Sequence, residues 1–147
     1  MIRKKLLQEI ALLQKQREWL EFSLNECEKI GIKKSYSIEE FGKFETLSSR
    51  YARSIDFLIR KFFRTLDVYE FENSGTLIDV VNNAHKRGFF EDIDELQMMK
   101  DLRNTIVHEY IEEELQEIFE DVVQYSKKLI EIIDTSLEYA KRYTKRQ

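Results

Sequence analysis

Apolar residues recur at intervals of three and four along almost the whole chain, which is the spacing of one face of an α-helix. This pattern predicts five helices, over about residues 3–29, 38–71 and 76–88, from residue 92 into the stretch 103–110, and over 111–143. Three of them begin with a capping signal, because an acidic residue follows three positions after Ser37, Thr76 and Asp92. No stretch alternates with period two for long enough to form a strand. We therefore expect an all-α, up-and-down bundle of four to five helices.

The composition is that of one domain with an ordinary core. The chain has 147 residues, no proline and no internal repeat, so residues 1–147 are predicted to form a single domain. Its one cysteine, Cys27, falls in an apolar row with Leu20 and Leu24, and we interpret it as a core residue rather than a nucleophile. No apolar run is long enough to cross a membrane, and the first residues do not resemble a signal peptide. We expect a soluble, cytoplasmic protein that makes no membrane contact.

The charges are unevenly distributed, although the net charge is only −4. Residues 29–64 carry a net charge of +5 and residues 109–134 a net charge of −7, which favours oriented binding to a partner, including a second copy of the chain. Five basic residues are predicted to share one face of the second helix, opposite its aromatic row: Arg50, Arg53, Arg60, Lys61 and Arg64. They form either a solvated helix face or a surface that binds RNA phosphates. Because no aromatic residue interleaves with them on that helix, no platform for base stacking is predicted.

The octet RNTIVHEY, residues 103–110, is the most unusual stretch of the sequence. On a helical wheel Met99, Leu102 and Ile106 form the core face, and His108 points about 150° away from it. Asn104 and Asp101 share the face of His108, one and two turns earlier, and are predicted to orient its imidazole. Arg103 and Tyr110 fall together on a different face. The other histidine, His85, lies near a predicted helix C-terminus and is interpreted as a surface residue that compensates the helix dipole.

An imidazole and a guanidinium are sufficient for cutting RNA without a metal. The 2′-hydroxyl must lose a proton, and the transition state on phosphorus gathers negative charge that an arginine stabilises. No second histidine lies near His108, so neither a metal site nor a cofactor is predicted. Five residues of helix separate Arg103 and His108 by about 140°, so the helix must end near His108, or two protomers must share one site. We favour a homodimer.

The octet resembles the motif of HEPN-domain ribonuclease toxins of the HepT type: Arg, four residues, His, one residue, Tyr, with a polar residue after the arginine. The resemblance covers residues 93–133 well and the rest only as helical architecture. It implies an all-α, dimeric, metal-independent endoribonuclease whose partner is a minimal nucleotidyltransferase antitoxin. Arg103 and His108 would then be the catalytic pair, and Asn104 would support them. Tyr110 would be the hydroxyl that the partner modifies with AMP, which would block access of RNA.

Two other functions remain open. A HEPN subunit that is not an enzyme, and that binds nucleotide or docks the nucleotidyltransferase, would have the same bundle. A generic helical interaction module, in which the octet occurs by chance, would also show the same apolar periodicity. The presence of Arg103, Asn104, His108 and Tyr110 together favours the endoribonuclease, because a scaffold has no need of all four.

Overall fold

The structure is a computed structural model that describes residues 1–73, 75–108 and 112–145, with residues 112–114 described by their backbone alone. It is an all-α bundle, as predicted, and no strand occurs in the described ranges. The long helices are α1 (Ile2–Ile30), α2 (Ile38–Asp56) and α6 (Glu112–Ala140). The shorter helices are α3 (Phe63–Phe71), α4 (Leu77–Lys86) and α5 (Ile93–His108), and a short 3-10 turn at Lys141–Tyr143 follows α6.

The predicted capping signals are confirmed. The Ser37 hydroxyl accepts a hydrogen bond from the Glu40 backbone N–H at 3.1 Å, and the Glu40 carboxylate accepts one from the Ser37 N–H at 3.0 Å. Thr76 and Asp79 form the same reciprocal box at the start of α4. Asp92 Oδ1 accepts a hydrogen bond from the Asp94 N–H at 2.8 Å at the start of α5. Polar side chains therefore fix where these three helices begin.

The second predicted helix departs from a regular α-helix in its middle. Residues Phe57–Phe62 form a π-helical turn that joins α2 to α3, and the Phe63 N–H bonds to the Leu58 carbonyl five residues back. A π-turn holds more residues per turn than an α-helix and rotates the face that follows it. Periodicity of apolar residues does not distinguish the two geometries, which is why the sequence predicted one uninterrupted helix over 38–71.

The core is made from the apolar rows that the sequence predicts. Leu6, Leu13 and Leu20 of α1 are fully buried, and Phe44 of α2 stacks on Phe119 of α6 with ring centroids 4.7 Å apart. Cys27 is buried with them, as expected. Burial raises the pKa of its thiol to about 12, so the thiolate that a nucleophile needs does not form near neutral pH.

The contact between α2 and α5 positions the octet. Met99, Leu102 and Ile106 are all buried, which confirms the predicted core face of α5. The Tyr51 hydroxyl of α2 donates a hydrogen bond of 2.8 Å to the Met99 carbonyl, in the interior. None of the described helices combines the length and the apolar character that a membrane span requires.

Candidate functional site

Arg103 lies at the surface where α5 crosses α2, and its guanidinium is held by Asp56. Its Nε and Nη2 donate hydrogen bonds of 2.9 and 2.7 Å to the same oxygen, Asp56 Oδ2. The two side chains are 21% and 34% exposed. Because both donors use one oxygen and the pair faces solvent, the guanidinium is oriented by the fold but remains accessible to an anion.

A pocket of about 180 Å³ opens beside this pair, between α2, the π-turn, α4 and α5. Three of its lining residues are cationic: Arg60, Lys100 and Arg103. Asp56 is the carboxylate in the lining, and Gln97 and Asn104 add neutral polar groups. Ile55, Ile59 and Leu77 contribute apolar surface. The lining therefore carries a net charge of +2 beside apolar surface. This composition suits a phosphate group that is attached to a flat or aliphatic group.

The two polar residues predicted to orient His108 have other partners in the structure. The Asn104 Oδ1 accepts a hydrogen bond of 3.1 Å from Arg103 Nη1, so the amide braces the guanidinium. The Asp101 carboxylate accepts one of 2.9 Å from Gln97 Nε2. Asn104 thus acts on the arginine of the octet, one residue before it, and not on the histidine one turn after it.

His108 is the last residue of α5 and is exposed, as the helical wheel predicts. Within the described ranges its ring has no hydrogen-bond partner. Five residues of helix separate it from Arg103 by about 7.5 Å along the axis and 140° around it, so the two side chains do not meet in one protomer. Tyr110, the predicted site of modification, lies outside the described residues.

An apolar hollow of about 250 Å³ lies beside the C-terminal turn of α5. Ala52, Ile106, Val107 and Leu115 supply its apolar surface, and Val107 is 48% exposed. Arg53 lies at the same hollow. Of these four apolar residues only Val107 is exposed, and it directly precedes His108 in the chain.

The five basic residues predicted on one face of the second helix contact different neighbours. Arg50 turns toward α1, where its Nη1 donates to the Ser23 hydroxyl at 2.6 Å and its guanidinium lies over the ring of Trp19 at 5.4 Å. Arg53 lies at the apolar hollow, Arg60 in the pocket of Arg103, and Arg64 donates a hydrogen bond of 3.0 Å to the Gly75 carbonyl. Lys61 is exposed. The π-turn separates Arg50 and Arg53 from Arg64, so a regular helical wheel does not describe this face.

His85 is placed near the C-terminus of α4, as expected, and has a structural partner. Its Nε2 lies 3.0 Å from the Glu91 carbonyl oxygen, and its ring packs against Phe90 with centroids 5.5 Å apart. Among the described residues, no three His, Cys, Asp or Glu side chains come together in a group able to hold a metal ion.

The sequence did not predict a buried charged cluster at the opposite end of the bundle. The side chain of Arg87, which follows α4, is 7% exposed, and its Nη1 lies 2.8 Å from Asp67 Oδ1. Its Nε donates a hydrogen bond of 2.9 Å to Glu70 Oε1, and its Nη2 lies 2.8 Å from the same oxygen. The hydroxyls of Tyr139 and Tyr143 both donate to Glu70 Oε2. No signal in the periodicity reveals this cluster, because charged residues between apolar ones usually face solvent.

No protein-family model matches the chain, and neither a curated protein nor a solved structure matches it. The resemblance of the octet to HEPN-domain toxins therefore stays a prediction made from residues 103–110.

Proposed function

We propose that the protein is a metal-independent endoribonuclease of the HEPN type, active as a homodimer and controlled by a nucleotidyltransferase. The observation that carries the proposal is the setting of Arg103. Its guanidinium is oriented by Asp56 and Asn104, and it lines a pocket with Arg60 and Lys100. On the same helix, one and a half turns later, an exposed histidine stands at the helix end.

The reaction that these groups support is internal transesterification of RNA. The 2′-oxygen forms a bond to phosphorus, its proton passes to the imidazole of His108, and the bond from phosphorus to the 5′-oxygen breaks. The departing oxygen takes a proton from solvent, the imidazolium of His108 returns its own proton to solvent, and the products carry a 2′,3′-cyclic phosphate and a 5′-hydroxyl. Arg103 stabilises the charge that gathers on the two remaining phosphate oxygens.

A second copy of the chain completes this site. Arg103 and His108 diverge on α5, so an imidazole from one protomer has to meet an arginine from the other. In a dimer with two-fold symmetry the same surface meets itself, and the apolar hollow next to His108 supplies surface to bury. The exposed Val107 would lie at the centre of that contact.

Control of the enzyme is expected at Tyr110, the tyrosine of the octet. The partner would join the Tyr110 oxygen to the α-phosphorus of ATP, with release of pyrophosphate and the phenolic proton. The added phosphate is an anion close to Arg103 in sequence and would compete with RNA for that guanidinium. Mass spectrometry of the chain co-expressed with its neighbouring nucleotidyltransferase gene should show AMP on Tyr110, and a Tyr110→Phe variant should show none.

The decisive experiment compares the two histidines. Expression of the chain alone should slow growth, and His108→Ala or Arg103→Ala should restore it. His85→Ala and Arg17→Ala are the matched controls, because Arg17 is also a partly exposed arginine paired with a carboxylate, Asp134. Both controls should remain toxic. Growth that is equally normal, or equally slow, for all of these variants contradicts the proposal.

Purified protein gives the chemical test. RNA should be cut with chelator present, and the products should end in a cyclic phosphate. Loss of cleavage on adding EDTA contradicts the metal-independent mechanism. A substrate with 2′-O-methyl groups should bind but stay intact, because the attacking hydroxyl is blocked.

One observation favours the alternative of a subunit that docks or binds nucleotide without cutting RNA. Arg103 is already paired within its own chain, to Asp56, and a scaffold would keep that ion pair as a structural contact. In that case the chain would bind the nucleotidyltransferase, and the four variants described above would leave both growth and RNA unchanged.

The structure also separates the basic residues into two testable groups. Arg60 lies in the pocket of Arg103, whereas Arg50 contacts Trp19 on another side of the bundle. We expect Arg60→Glu to weaken RNA binding and to reduce its salt dependence, because a phosphate contact is lost. Arg50→Glu makes the same change of charge and should have a smaller effect. Equal effects of the two variants on RNA binding would show that both residues act only through the general charge of the surface.

A further inference from the structure

We propose that a pocket between the beginning of α1 and the end of α6 binds a phosphate monoester. The pocket has a volume of about 340 Å³ and is lined by Arg3, Tyr69, Arg142, Tyr143 and Lys145. It lies apart from Arg103 and the octet, and the inference does not depend on the proposed endoribonuclease.

The fold creates this pocket by joining two distant basic segments. Arg3 Nη2 donates a hydrogen bond of 3.1 Å to the carbonyl oxygen of Tyr143, 140 residues away in the chain. Three cationic side chains thus line one pocket, and no carboxylate is found among its lining residues in the described part of the chain. In a chain whose net charge is −4, such a concentration of positive charge is a local feature that a bound anion would stabilise.

Contacts within the protein orient the two arginines before any ligand binds. Arg142 Nε donates to the Tyr139 carbonyl at 3.0 Å, and its guanidinium lies 3.8 Å from the centroid of the Tyr139 ring. Its two terminal nitrogens have no partner among the described residues and are free to donate to a ligand. Arg3 is likewise oriented by the hydrogen bond that its Nη2 donates to the Tyr143 carbonyl oxygen. Oriented guanidinium groups lose less conformational entropy on binding than free surface side chains.

The wall of the pocket is fixed from behind by Glu70. The ring of Tyr69 meets that of Tyr143 edge-on with centroids 4.8 Å apart, and the Tyr143 hydroxyl donates to Glu70. Arg87 lies against the same carboxylate and also against Asp67, so one cation is shared by two acids and one net negative charge remains behind the wall. On α6, the exposed Glu138 is paired with Lys141 at 2.7 Å. The three cations that line the pocket outweigh that single charge.

The arrangement of the donors selects a phosphate monoester over other anions. A carboxylate needs only one guanidinium group, which binds both of its oxygens. An RNA phosphodiester carries only one negative charge per phosphate, fewer than the three cations of the pocket. Two separate guanidinium groups and an ammonium suit a dianion with three terminal oxygens. The volume exceeds that of a phosphate group alone, and the two tyrosine rings offer a surface for a sugar or a ring. Free phosphate and an organic monoester share this chemistry.

Calorimetric titration of the full chain tests the proposal with three probes: inorganic phosphate, ribose 5-phosphate and ribose. Both phosphates should bind at low salt and ribose should not. Tighter binding of ribose 5-phosphate than of phosphate would identify an organic monoester as the ligand, and equal binding would identify free phosphate. Absence of binding by both phosphates overturns the proposal.

Matched variants locate the binding. Arg142→Gln should weaken phosphate binding about ten-fold or more, which corresponds to loss of a charge-assisted hydrogen bond. Lys145→Gln, at an exposed residue, should weaken binding without any risk to folding. Lys4→Gln removes the same charge from an exposed neighbour that does not line the pocket, and should change affinity less than about two-fold. An equal effect of Lys4→Gln would show a diffuse attraction and overturn the proposal. So would a result in which Arg142→Gln weakens binding of 2′-O-methyl RNA but leaves phosphate binding unchanged.

Discussion

Arg103 and Arg87 are both paired with carboxylates, yet the two pairs differ in almost every physical respect. Arg87 and Asp67 are 7% and 1% exposed, and Arg87 also contacts Glu70. Arg103 and Asp56 are 21% and 34% exposed, and the arginine spends two donors on one oxygen. The side chains of the first pair are buried, whereas both members of the second line a pocket.

Burial decides what each arginine is able to do. Removing one partner of a buried pair leaves an uncompensated charge in the interior, so Arg87 is bound to a structural role. An exposed pair contributes little to stability, because water solvates both partners when they separate. Arg103 is therefore free to exchange Asp56 for a phosphate at small free-energy cost. The sequence predicts Arg87 at a helix end and Arg103 within a helix, and it gives no hint that one pair is buried and the other exposed.

The largest expected effect is on stability and follows from this contrast. Arg87→Met should lower the free energy of unfolding by about 3–5 kcal/mol, because Asp67 and Glu70 lose their buried counter-charge. Arg103→Met, the matched change in the exposed pair, should lower it by at most about 1 kcal/mol. Urea denaturation followed by circular dichroism measures both values. Similar losses for the two variants would show that the Arg103 pair is structural and would weaken the case for a site there.

The next effect is the dependence of stability on pH. Burial acts to raise the pKa of Glu70, but hydrogen bonds from Tyr143, Tyr139 and Arg87 outweigh it, so the pKa lies below its usual value of 4.5. A carboxyl whose pKa is lower in the folded state contributes stability above pH 4.5, and this contribution is lost as the pH falls through the folded pKa.

Urea midpoints measured at several pH values between 7 and 3 test this. Glu70→Gln should be less stable than wild type near pH 7 and should lose less stability than wild type on acidification. If Glu70→Gln loses as much stability as wild type when the pH is lowered, the stability of the cluster does not depend on the ionised carboxylate.

The local elements were predictable because their causes are local. Apolar spacing and the boxes at Ser37 and Thr76 involve residues within one turn of each other, and helix ends followed from them. The π-turn at Phe57–Phe62 was missed because a wider turn leaves the same residues apolar. Arg50 was assigned to a face without aromatic residues because its partner Trp19 belongs to another helix.

The features of the candidate site also divide into those that one helix determines and those that depend on packing between helices. The exposure of His108 and the burial of Met99 and Ile106 follow from angles on one helix. The partner of Arg103 does not, because Asp56 lies 47 residues earlier and meets it only when α2 and α5 pack. The basic pocket at Arg3 and Arg142 depends on an even longer separation, so no sequence window contains it.

Removal of Asp56 gives the smallest effect and tests the exposed pair most directly. Asp56→Asn withdraws one negative charge from the pocket that holds Arg60, Lys100 and Arg103, so affinity for 2′-O-methyl RNA should rise about three- to ten-fold at low salt. Stability should change by at most about 1 kcal/mol. Asp121→Asn makes the same change of charge on an exposed face of α6 and controls for net charge. A lower affinity of Asp56→Asn, with the fold intact, would contradict this prediction and show that Asp56 positions Arg103 for RNA. The reason would be entropic, because an arginine side chain that is not held in place loses more conformational entropy when it binds.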